Sequence, residues 1–199
     1  STELSSRAIT PRSIPHLSRP PEVEMKYTIR PVEEYDWEPI TSIFNHFVVN
    51  SNAAYPEEPV GIDFFRNKHL QAPDYPFMVV TADGKAVGFA YLAPFQPVPT
   101  MRRSAMLTYF IHPNHTGQKI GERFLRLLMD QGRHLGVTTF LAHFSSANEG
   151  SIRFHQKHGF AECGRFREVG VKGGQSFDMV WMQRVEKESS DNGKSLSVT

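Results

Sequence analysis

The sequence predicts an α/β protein with a mixed central sheet of about six to seven strands and helices on both faces. One observation is the order of the predicted elements, which is β-α-α-β-β-β-α-β-α-β-β. Another is the strand–helix–strand succession in the second half, which is typical of two parallel strands joined by a crossover helix. The third is composition, since 199 residues with 39% hydrophobic residues can bury one core.

The folded domain is expected over residues 25–186, between two polar ends. Residues 1–24 are rich in Ser, Pro and Arg, which predicts a flexible N-terminal arm. The chain turns polar again after Glu186, and residues 187–199 are expected to form a flexible C-terminal tail. Composition therefore predicts a single domain with an extension at each end.

Charge and cysteine content limit the possible partners and compartments. There are 22 Lys and Arg residues against 21 Asp and Glu residues, so the formal net charge is +1. This balance indicates neither nucleic acid nor an anionic membrane as a partner. Cys163 is the single cysteine. No disulfide can form within these residues, and a reducing, cytoplasmic location is expected.

The first half of the domain predicts a strand, two helices and three strands. Strands are expected over residues 27–31, 77–81, 87–92 and 106–111. A helix begins near Asp36, because Pro39 fits only in the first turn of a helix. A short second helix is expected at residues 63–70. The Asp83-Gly84 pair predicts a tight hairpin between the second and third strands.

The second half predicts a long amphipathic helix that begins after residue 120 and ends at Gly136. A strand should follow it over residues 137–144. Ser146 begins a capping-box pattern, which predicts another helix from there to about His158. The last strands are expected over residues 160–165 and 177–182.

The segment from His112 to Gly121 joins a predicted strand to the long helix and contains two glycines. The first N–H groups of a helix have no partner within it and carry partial positive charge. A diphosphate fits there when no bulky side chain covers the backbone. Such a loop is also compatible with a plain strand-to-helix turn, so the motif alone leaves both interpretations open.

Four segments strengthen the phosphate-binding interpretation, because they occur together in one order. They cover residues 75–91, 112–121, 148–160 and 170–181. In this arrangement the chain resembles the GNAT acyltransferases, and most of all their phosphinothricin and methionine sulfoximine acetyltransferase group. The resemblance spans roughly residues 27–184. It implies a GNAT-type sheet and an enzyme that moves an acetyl group from acetyl-coenzyme A to the amine of a small molecule.

The resemblance also implies the cofactor-binding residues. Backbone groups of Phe110, Ile111 and His112 would hold the pantetheine arm. The pyrophosphate would lie on the amides of Gly117, Gln118, Lys119, Ile120 and Gly121. Asn148, Ser151 and His155 would lie near the thiol, although asparagine also favours the start of a helix. Lys119 stands where the family keeps glycine, and its ammonium is an alternative partner for a phosphate.

Catalytic residues follow less completely from the resemblance. His155 stands where relatives carry the group that protonates the departing thiolate, and a structural hydrogen bond is the alternative role for it. The glutamate that serves as base in the family falls on Met106, so this carboxylate is missing. His112, His143 and Glu57 are the candidate replacements. An apolar pocket would also lower the amine's pKa by desolvation.

The substrate pocket is expected to be aromatic, covered by the loop over residues 50–61. Its candidate residues are Tyr55, Glu57, Phe77, Tyr91 and Tyr109, with Arg102 and Arg103 as candidates for gripping a carboxylate. No metal site is indicated, and a homodimer is one expectation from the relatives. The alternative function is a catalytically degenerate protein that binds acetyl-coenzyme A as a sensor or scaffold, which the missing glutamate favours.

Overall fold

A computed structural model describes residues 25–186, so the arm and tail predicted at residues 1–24 and 187–199 lie outside the described residues. The strands are β1 (Tyr27–Pro31), β2 (Phe77–Ala82), β3 (Lys85–Pro94), β4 (Ser104–Ile111), β5 (Thr139–Ser145), β6 (Ala161–Lys172) and β7 (Gln175–Val185). The α-helices are α1 (Trp37–Asn50), α2 (Asp63–Gln71), α3 (Ile120–His134) and α4 (Glu149–Lys157). Their order confirms the predicted succession of elements.

All seven strands form one mixed sheet in the order β1-β2-β3-β4-β5-β7-β6. Neighbours pair antiparallel except β4 and β5, which are parallel and are connected through α3. This confirms the predicted mixed sheet and its parallel unit. The last two strands are longer than predicted because they form a hairpin, with Gly173 and Gly174 at positive φ in its turn.

Helices pack on both faces of the sheet, as predicted. Alternate residues of a strand point to opposite faces, so Phe77 and Val79 join the core under α1 and α2. Met78 and Val80 join the core under α3. Each fully buried large apolar side chain in these cores contributes about 1.5–3 kcal/mol of transfer free energy. The two cores hold the central strands rigidly in place from both sides.

Local signals explain most of the observed boundaries. Helix α1 begins at Trp37, one residue after the predicted start, with Pro39 in its first turn. Asp83 and Gly84 have φ values of 48° and 82°, as a two-residue hairpin turn of this hand requires. Ser146 does not start α4, contrary to the prediction. Asn148 is the N-cap, because its Oδ1 accepts a hydrogen bond from the Ser151 N–H at 3.2 Å.

The central parallel strands diverge, and this creates the site. Strands β4 and β5 pair only from Ser104 opposite Thr139 to Met106 opposite Leu141. Beyond Met106, β4 stays paired with β3 and β5 stays paired with β7. The facing backbone edges of β4 and β5 therefore do not pair with each other beyond this point, and a cleft opens between the two strands. The predicted phosphate loop lies just beyond the end of β4.

Candidate active site

Two adjoining cavities occupy the region where β4 and β5 diverge. The first has a volume of about 370 Å³ and lies beside the start of α3. The second has a volume of about 430 Å³ and lies towards α1 and α2. Tyr109, Ile111 and Ser151 line both cavities. A ligand long enough to cross these three residues can occupy both cavities at once.

The first cavity is built around the N-terminus of α3. Its loop side is lined by His115, Thr116, Gly117, Lys119, Ile120, Gly121 and Glu122, and its α4 side by Gly150, Phe154, Lys157 and His158. No side chain caps the start of α3. Its first amides are therefore available to an anion, and the helix dipole favours negative charge there. The ammonium groups of Lys119 and Lys157 add positive charge at the same cavity.

Glycine keeps the backbone of this loop bare. A Cβ built on Gly121 would lie no closer than 3.6 Å to its nearest neighbour, a ring atom of Phe154. The protein itself therefore has space for a methyl group at Gly121, and the free surface faces the cavity. Gly117 has a φ of 78°, a conformation that glycine adopts without steric cost.

Lys119, which departs from the family pattern, adopts an unusual backbone conformation. It is the N-cap of α3, with φ 57° and ψ 15°. This left-handed conformation costs a residue with a Cβ roughly 1–2 kcal/mol, whereas glycine adopts it readily. Lys119 thus keeps the turn that the pattern expects from glycine and adds a cation to the cavity.

The backbone groups that face the cleft differ from those expected. The His112 N–H donates to the Val87 carbonyl at 2.8 Å, so it faces β3. In an antiparallel pair the bonded residues alternate, which turns the amide of Phe110 towards β3 as well. The expectation that Phe110 and His112 offer backbone groups to a pantetheine arm is therefore wrong. Ile111 does face the cleft, together with Tyr109.

The second cavity is predominantly aromatic. Its apolar lining consists of Phe44, Phe47, Ala53, Ala54, Pro56, Phe64, Phe65, Leu107, Phe110 and Phe144, with the rings of Tyr55, Tyr91 and Tyr109. Lys68, Thr108, His143, Asn148 and Ser151 supply its polar groups. No carboxylate is present among these lining residues. An amine enclosed here would lose hydration, which lowers its pKa and favours the neutral, nucleophilic form.

The loop over residues 51–60 covers the second cavity, as expected, and is anchored from two sides. The Lys172 ammonium, at the tip of the β6–β7 hairpin, donates to the carbonyls of Ser51 at 2.8 Å and Ala54 at 2.6 Å. At the other end of the loop, the Asn45 amide exchanges two hydrogen bonds with the Val60 backbone. These contacts hold Tyr55 over the cavity.

His143 faces the second cavity, as its predicted position on β5 required. Its Nδ1 lies 2.9 Å from the Tyr55 hydroxyl, and the two rings stack with centroids 5.5 Å apart. Burial lowers the pKa of His143 and raises the pKa of Tyr55 to about 12. Both groups are therefore neutral near pH 7, so the pair presents hydrogen-bonding groups without a formal charge.

His155 lies behind Tyr109 rather than in a cavity. Its side chain is 1% exposed and lines neither cavity, so the expectation that it contacts the thiol directly is not met. Its Nε2 lies 2.9 Å from the Tyr109 hydroxyl, and its Nδ1 lies 2.8 Å from the Ser151 carbonyl oxygen. Burial lowers the pKa of His155 to about 4 and raises the pKa of Tyr109 well above its usual value.

Several other predicted residues fall outside the cavities. His112 is next to His46, with ring centroids 5.3 Å apart, and lines neither cavity. Phe77 is 4% exposed and packs in the core against Tyr91, so it has no surface for a substrate. Glu57 and Gln118 are exposed, and neither lines a cavity. Arg102 and Arg103 precede β4 at the end opposite the phosphate loop.

The sequence analysis missed Lys157, which lines the first cavity, and two further lysines of the site. Lys68 lines the second cavity, with its Nζ 4.8 Å from the centre of the Phe64 ring. Lys172 anchors the covering loop from more than 100 residues away in the chain. For Lys68 the sequence offered only the apolar pattern of its helix, and for Lys172 only the two glycines of the adjacent turn. Neither signal specifies a lysine.

Membrane-spanning helices and metal-binding clusters are two further features to compare with the described residues. Within residues 25–186, no helix combines the length and apolar character needed to cross a membrane. The same residues contain no cluster of three or more His, Cys, Asp or Glu side chains that could hold a metal ion.

The diverging strands, the uncapped helix and the aromatic cavity together suit acyl transfer, and comparison with known proteins agrees. Residues 37–160 match the Acetyltransferase (GNAT) family. The chain is 30% identical over 160 residues to an L-methionine sulfoximine/L-methionine sulfone acetyltransferase of Salmonella typhimurium, covering 78% of this chain and 92% of that protein. It is also 30% identical over 161 residues to a phosphinothricin N-acetyltransferase of Streptomyces coelicolor, covering 78% and 94%.

Solved structures extend this likeness to the fold. A GNAT superfamily phosphinothricin acetyltransferase of Sinorhizobium meliloti, solved in complex with acetyl-coenzyme A, superposes with a TM-score of 0.76. It is 27% identical, and the match covers 86% of this chain and 95% of that one. The chain belongs to the GNAT acetyltransferase family, which confirms the resemblance drawn from its four sequence segments.

Proposed function

We propose that this protein transfers the acetyl group of acetyl-coenzyme A to the amine of a small, amino-acid-like molecule. The observation that carries the proposal is the junction of the two cavities at Tyr109, Ile111 and Ser151. One cavity suits a phosphorylated donor and the other suits an apolar acceptor, so donor and acceptor can meet at their junction. The relatives named above, which are N-acetyltransferases of amino-acid analogues, support this division of roles.

The donor site fits the groups that acetyl-coenzyme A carries. The pyrophosphate is assigned to the free amides of residues 117–121, with Lys119 and Lys157 supplying charge. The pantetheine arm is assigned to the cleft-facing backbone of Tyr109 and Ile111. Ser151 and Asn148 are assigned to the thiol end, where Asn148 combines a lining position with its role as N-cap.

The acceptor is proposed to have an apolar or aromatic body and one carboxylate. Aromatic rings dominate the second cavity, and Tyr55, Tyr91 and Tyr109 belong to its wall. Lys68 is the cationic residue in the lining, so it is the proposed partner for the carboxylate. Since no carboxylate lines this cavity, an acceptor with a second ammonium group would find no counter-charge in the cavity lining.

His143 is the proposed acceptor-binding histidine. It is the one of the three predicted catalytic histidines that lines a cavity, and Tyr55 fixes its ring. A neutral imidazole there can accept an N–H hydrogen bond from the amine and aim its lone pair at the thioester. His143→Gln is therefore expected to raise KM for the amine more than it lowers kcat.

A homodimer and a cytoplasmic location complete the proposal. Strand β6 is the edge of the sheet and exposes Phe166, Val169 and Val171, each more than half exposed. An apolar strand edge of this kind is suited to pairing with a second copy. The cytoplasmic location is supported by Cys163, the single cysteine, which forms no disulfide within the described residues.

The test is thiol release from acetyl-coenzyme A in the presence of single amines. L-phenylalanine, L-methionine sulfone, phenethylamine and L-lysine differ in aromatic body, carboxylate and second charge. We expect the aromatic amino acid to give the highest kcat/KM, and Lys68→Met to remove its advantage over phenethylamine. Heat stabilisation by acetyl-coenzyme A without turnover on any amine would instead support the sensor or scaffold that the missing glutamate suggested.

A further inference from the structure

Tyr109, at the junction of the two cavities, is paired with the buried His155. The Ser151 carbonyl can only accept a hydrogen bond, so the Nδ1 of His155 that lies 2.8 Å from it must carry the ring proton. The neutral ring then has a free lone pair at Nε2, and the Tyr109 hydroxyl donates to it over 2.9 Å. The Tyr109 ring also stacks on the imidazole at an interplanar angle of 19°, which fixes the pair.

We propose that Tyr109 is the catalytic residue that exchanges protons with the reacting atoms, and that His155 acts through it as a positioning and proton-storing residue. The pair would do the work of the carboxylate that is missing at Met106. This inference rests on the proposed acetyl transfer, and it adds a role for Tyr109 that neither the resemblance nor the comparisons assign.

The proton balance of the reaction suits such a pair. As the amine nitrogen forms its bond to the acetyl carbon, its proton passes to the Tyr109 oxygen while the Tyr109 proton moves to Nε2 of His155. As the carbon–sulfur bond breaks, the same proton returns from Nε2 to Tyr109, and Tyr109 delivers its own proton to the sulfur. The amide and the free thiol leave, and both side chains regain their starting protonation.

Burial makes this exchange internal to the protein. His155 is enclosed by the rings of Phe144, Phe154 and Phe160, with centroids 4.6, 5.3 and 5.1 Å from its own. It lines neither cavity, so Tyr109 is its route to the reacting atoms. Burial also disfavours both the phenolate and a lasting imidazolium. A proton taken up by the pair is therefore returned rather than kept.

Two substitutions test the pair and leave its packing largely intact. Tyr109→Phe removes the hydroxyl, and His155→Gln keeps a hydrogen-bond acceptor that cannot store a proton. Each is expected to lower kcat by about 10²-fold, the usual contribution of general acid–base catalysis. The double variant should lose little more than either single variant, because the two groups act as one unit. Tyr35→Phe and His134→Gln, at exposed positions, are the matched controls.

A binding and a spectroscopic measurement separate chemistry from folding. Affinity for acetyl-coenzyme A should stay within about threefold of wild type in each variant, which corresponds to less than 1 kcal/mol. The ¹⁵N spectrum of the His155 ring should show a protonated Nδ1 and a hydrogen-bonded Nε2, and Tyr109→Phe should move only the Nε2 signal. This readout requires no turnover, and in the wild-type chain it tests the pair even where a variant does not fold.

Distinct results would overturn the two proposals. If the wild-type enzyme turns over but both single variants keep kcat within about threefold, or if their losses multiply in the double variant, the relay is refuted. A ring protonated at Nε2 instead of Nδ1 would refute it as well. Absence of thiol release from the wild-type chain with every amine would refute the proposed function instead.

Discussion

Gly121 is a residue that the donor site needs as glycine although the packing of the protein does not. A Cβ at this position would meet only ordinary contacts of 3.6 Å and longer, so the fold does not require glycine there. Glycine in a helix is less favourable than alanine by up to about 1 kcal/mol. Glycine at this position therefore lowers the stability of the protein, and we expect its advantage to lie in ligand binding.

The prediction for Gly121→Ala is that stability and binding change in opposite directions. The free energy of unfolding of the ligand-free protein should stay equal or rise by up to about 1 kcal/mol. The dissociation constant for acetyl-coenzyme A should rise about tenfold, because the methyl group covers amides that face the pyrophosphate. Urea denaturation and titration calorimetry measure the two quantities. Equal affinity in both proteins would mean that the phosphate lies elsewhere.

His155 should make stability depend on pH. Its pKa is lowered to about 4 in the folded protein, below the value of 6.5 expected in the unfolded chain. Below pH 6.5 the unfolded chain therefore binds a proton that the folded chain does not, and stability falls as the pH drops towards 4.

Between pH 7 and pH 5 the wild-type protein should lose about 2 kcal/mol more unfolding free energy than His155→Gln does. Urea denaturation at the two pH values measures the difference, and the exposed His134→Gln should behave as wild type does. Equal losses in wild type and His155→Gln would show that the imidazole titrates normally and is not sealed behind Tyr109.

The place of each site residue in the fold was only partly predictable from the sequence. The placement of His143 in the cleft followed from strand alternation and the parallel unit, and the structure agrees. His155 lies on the predicted helix, but its burial behind Tyr109 was not foreseen. Helix periodicity does not show which strand residue covers a given side chain of the helix. Phe77 was assigned to the pocket although it belongs to the core, since aromatic residues of both kinds look alike in sequence.

At the scale of elements, the site depends on where strands stop pairing. The sequence signals were strong for turns and helix starts, where Pro39 and the Asp83-Gly84 pair restrict the backbone. They were weaker for the β6–β7 hairpin, whose strands run well beyond the predicted segments. Its length has a functional consequence, because the extended tip brings Lys172 to the loop over the acceptor cavity.

Lys172→Met should loosen that loop without changing the donor site. The substitution removes two hydrogen bonds to the carbonyls of Ser51 and Ala54, so Tyr55 is held less firmly over the cavity. We expect KM for the amine to rise about threefold to tenfold, the effect of roughly 1 kcal/mol, and amide exchange at residues 51–56 to accelerate. Affinity for acetyl-coenzyme A should not change.

Lys85→Met, in an exposed position beside another hairpin turn, is the matched control and should leave all three quantities as in wild type. If amide exchange in the loop stayed as slow in Lys172→Met as in wild type, the Asn45 and Tyr55 contacts would account for its order without Lys172.

At the scale of the whole molecule, the two cores hold the central strands from both faces while β4 and β5 separate at one end. The fold class, the succession of elements along the chain and the donor loop could be argued from the sequence because each has a local signature. The acceptor cavity could be argued only in part. Its aromatic character, its three tyrosines and its covering loop were expected, but the contributions of α1 and α2 were not, because such long-range packing leaves no compact pattern in the chain.

The most direct test of the account is to follow the backbone amide signals of residues 117–122 by NMR during titration with acetyl-coenzyme A and, separately, with S-acetylpantetheine. The second compound keeps the thioester arm and lacks the pyrophosphate. We predict that acetyl-coenzyme A shifts these amides together with those of Tyr109 and Ile111, and that S-acetylpantetheine shifts Tyr109 and Ile111 alone. Loop amides that stay unmoved at saturating acetyl-coenzyme A would contradict the account.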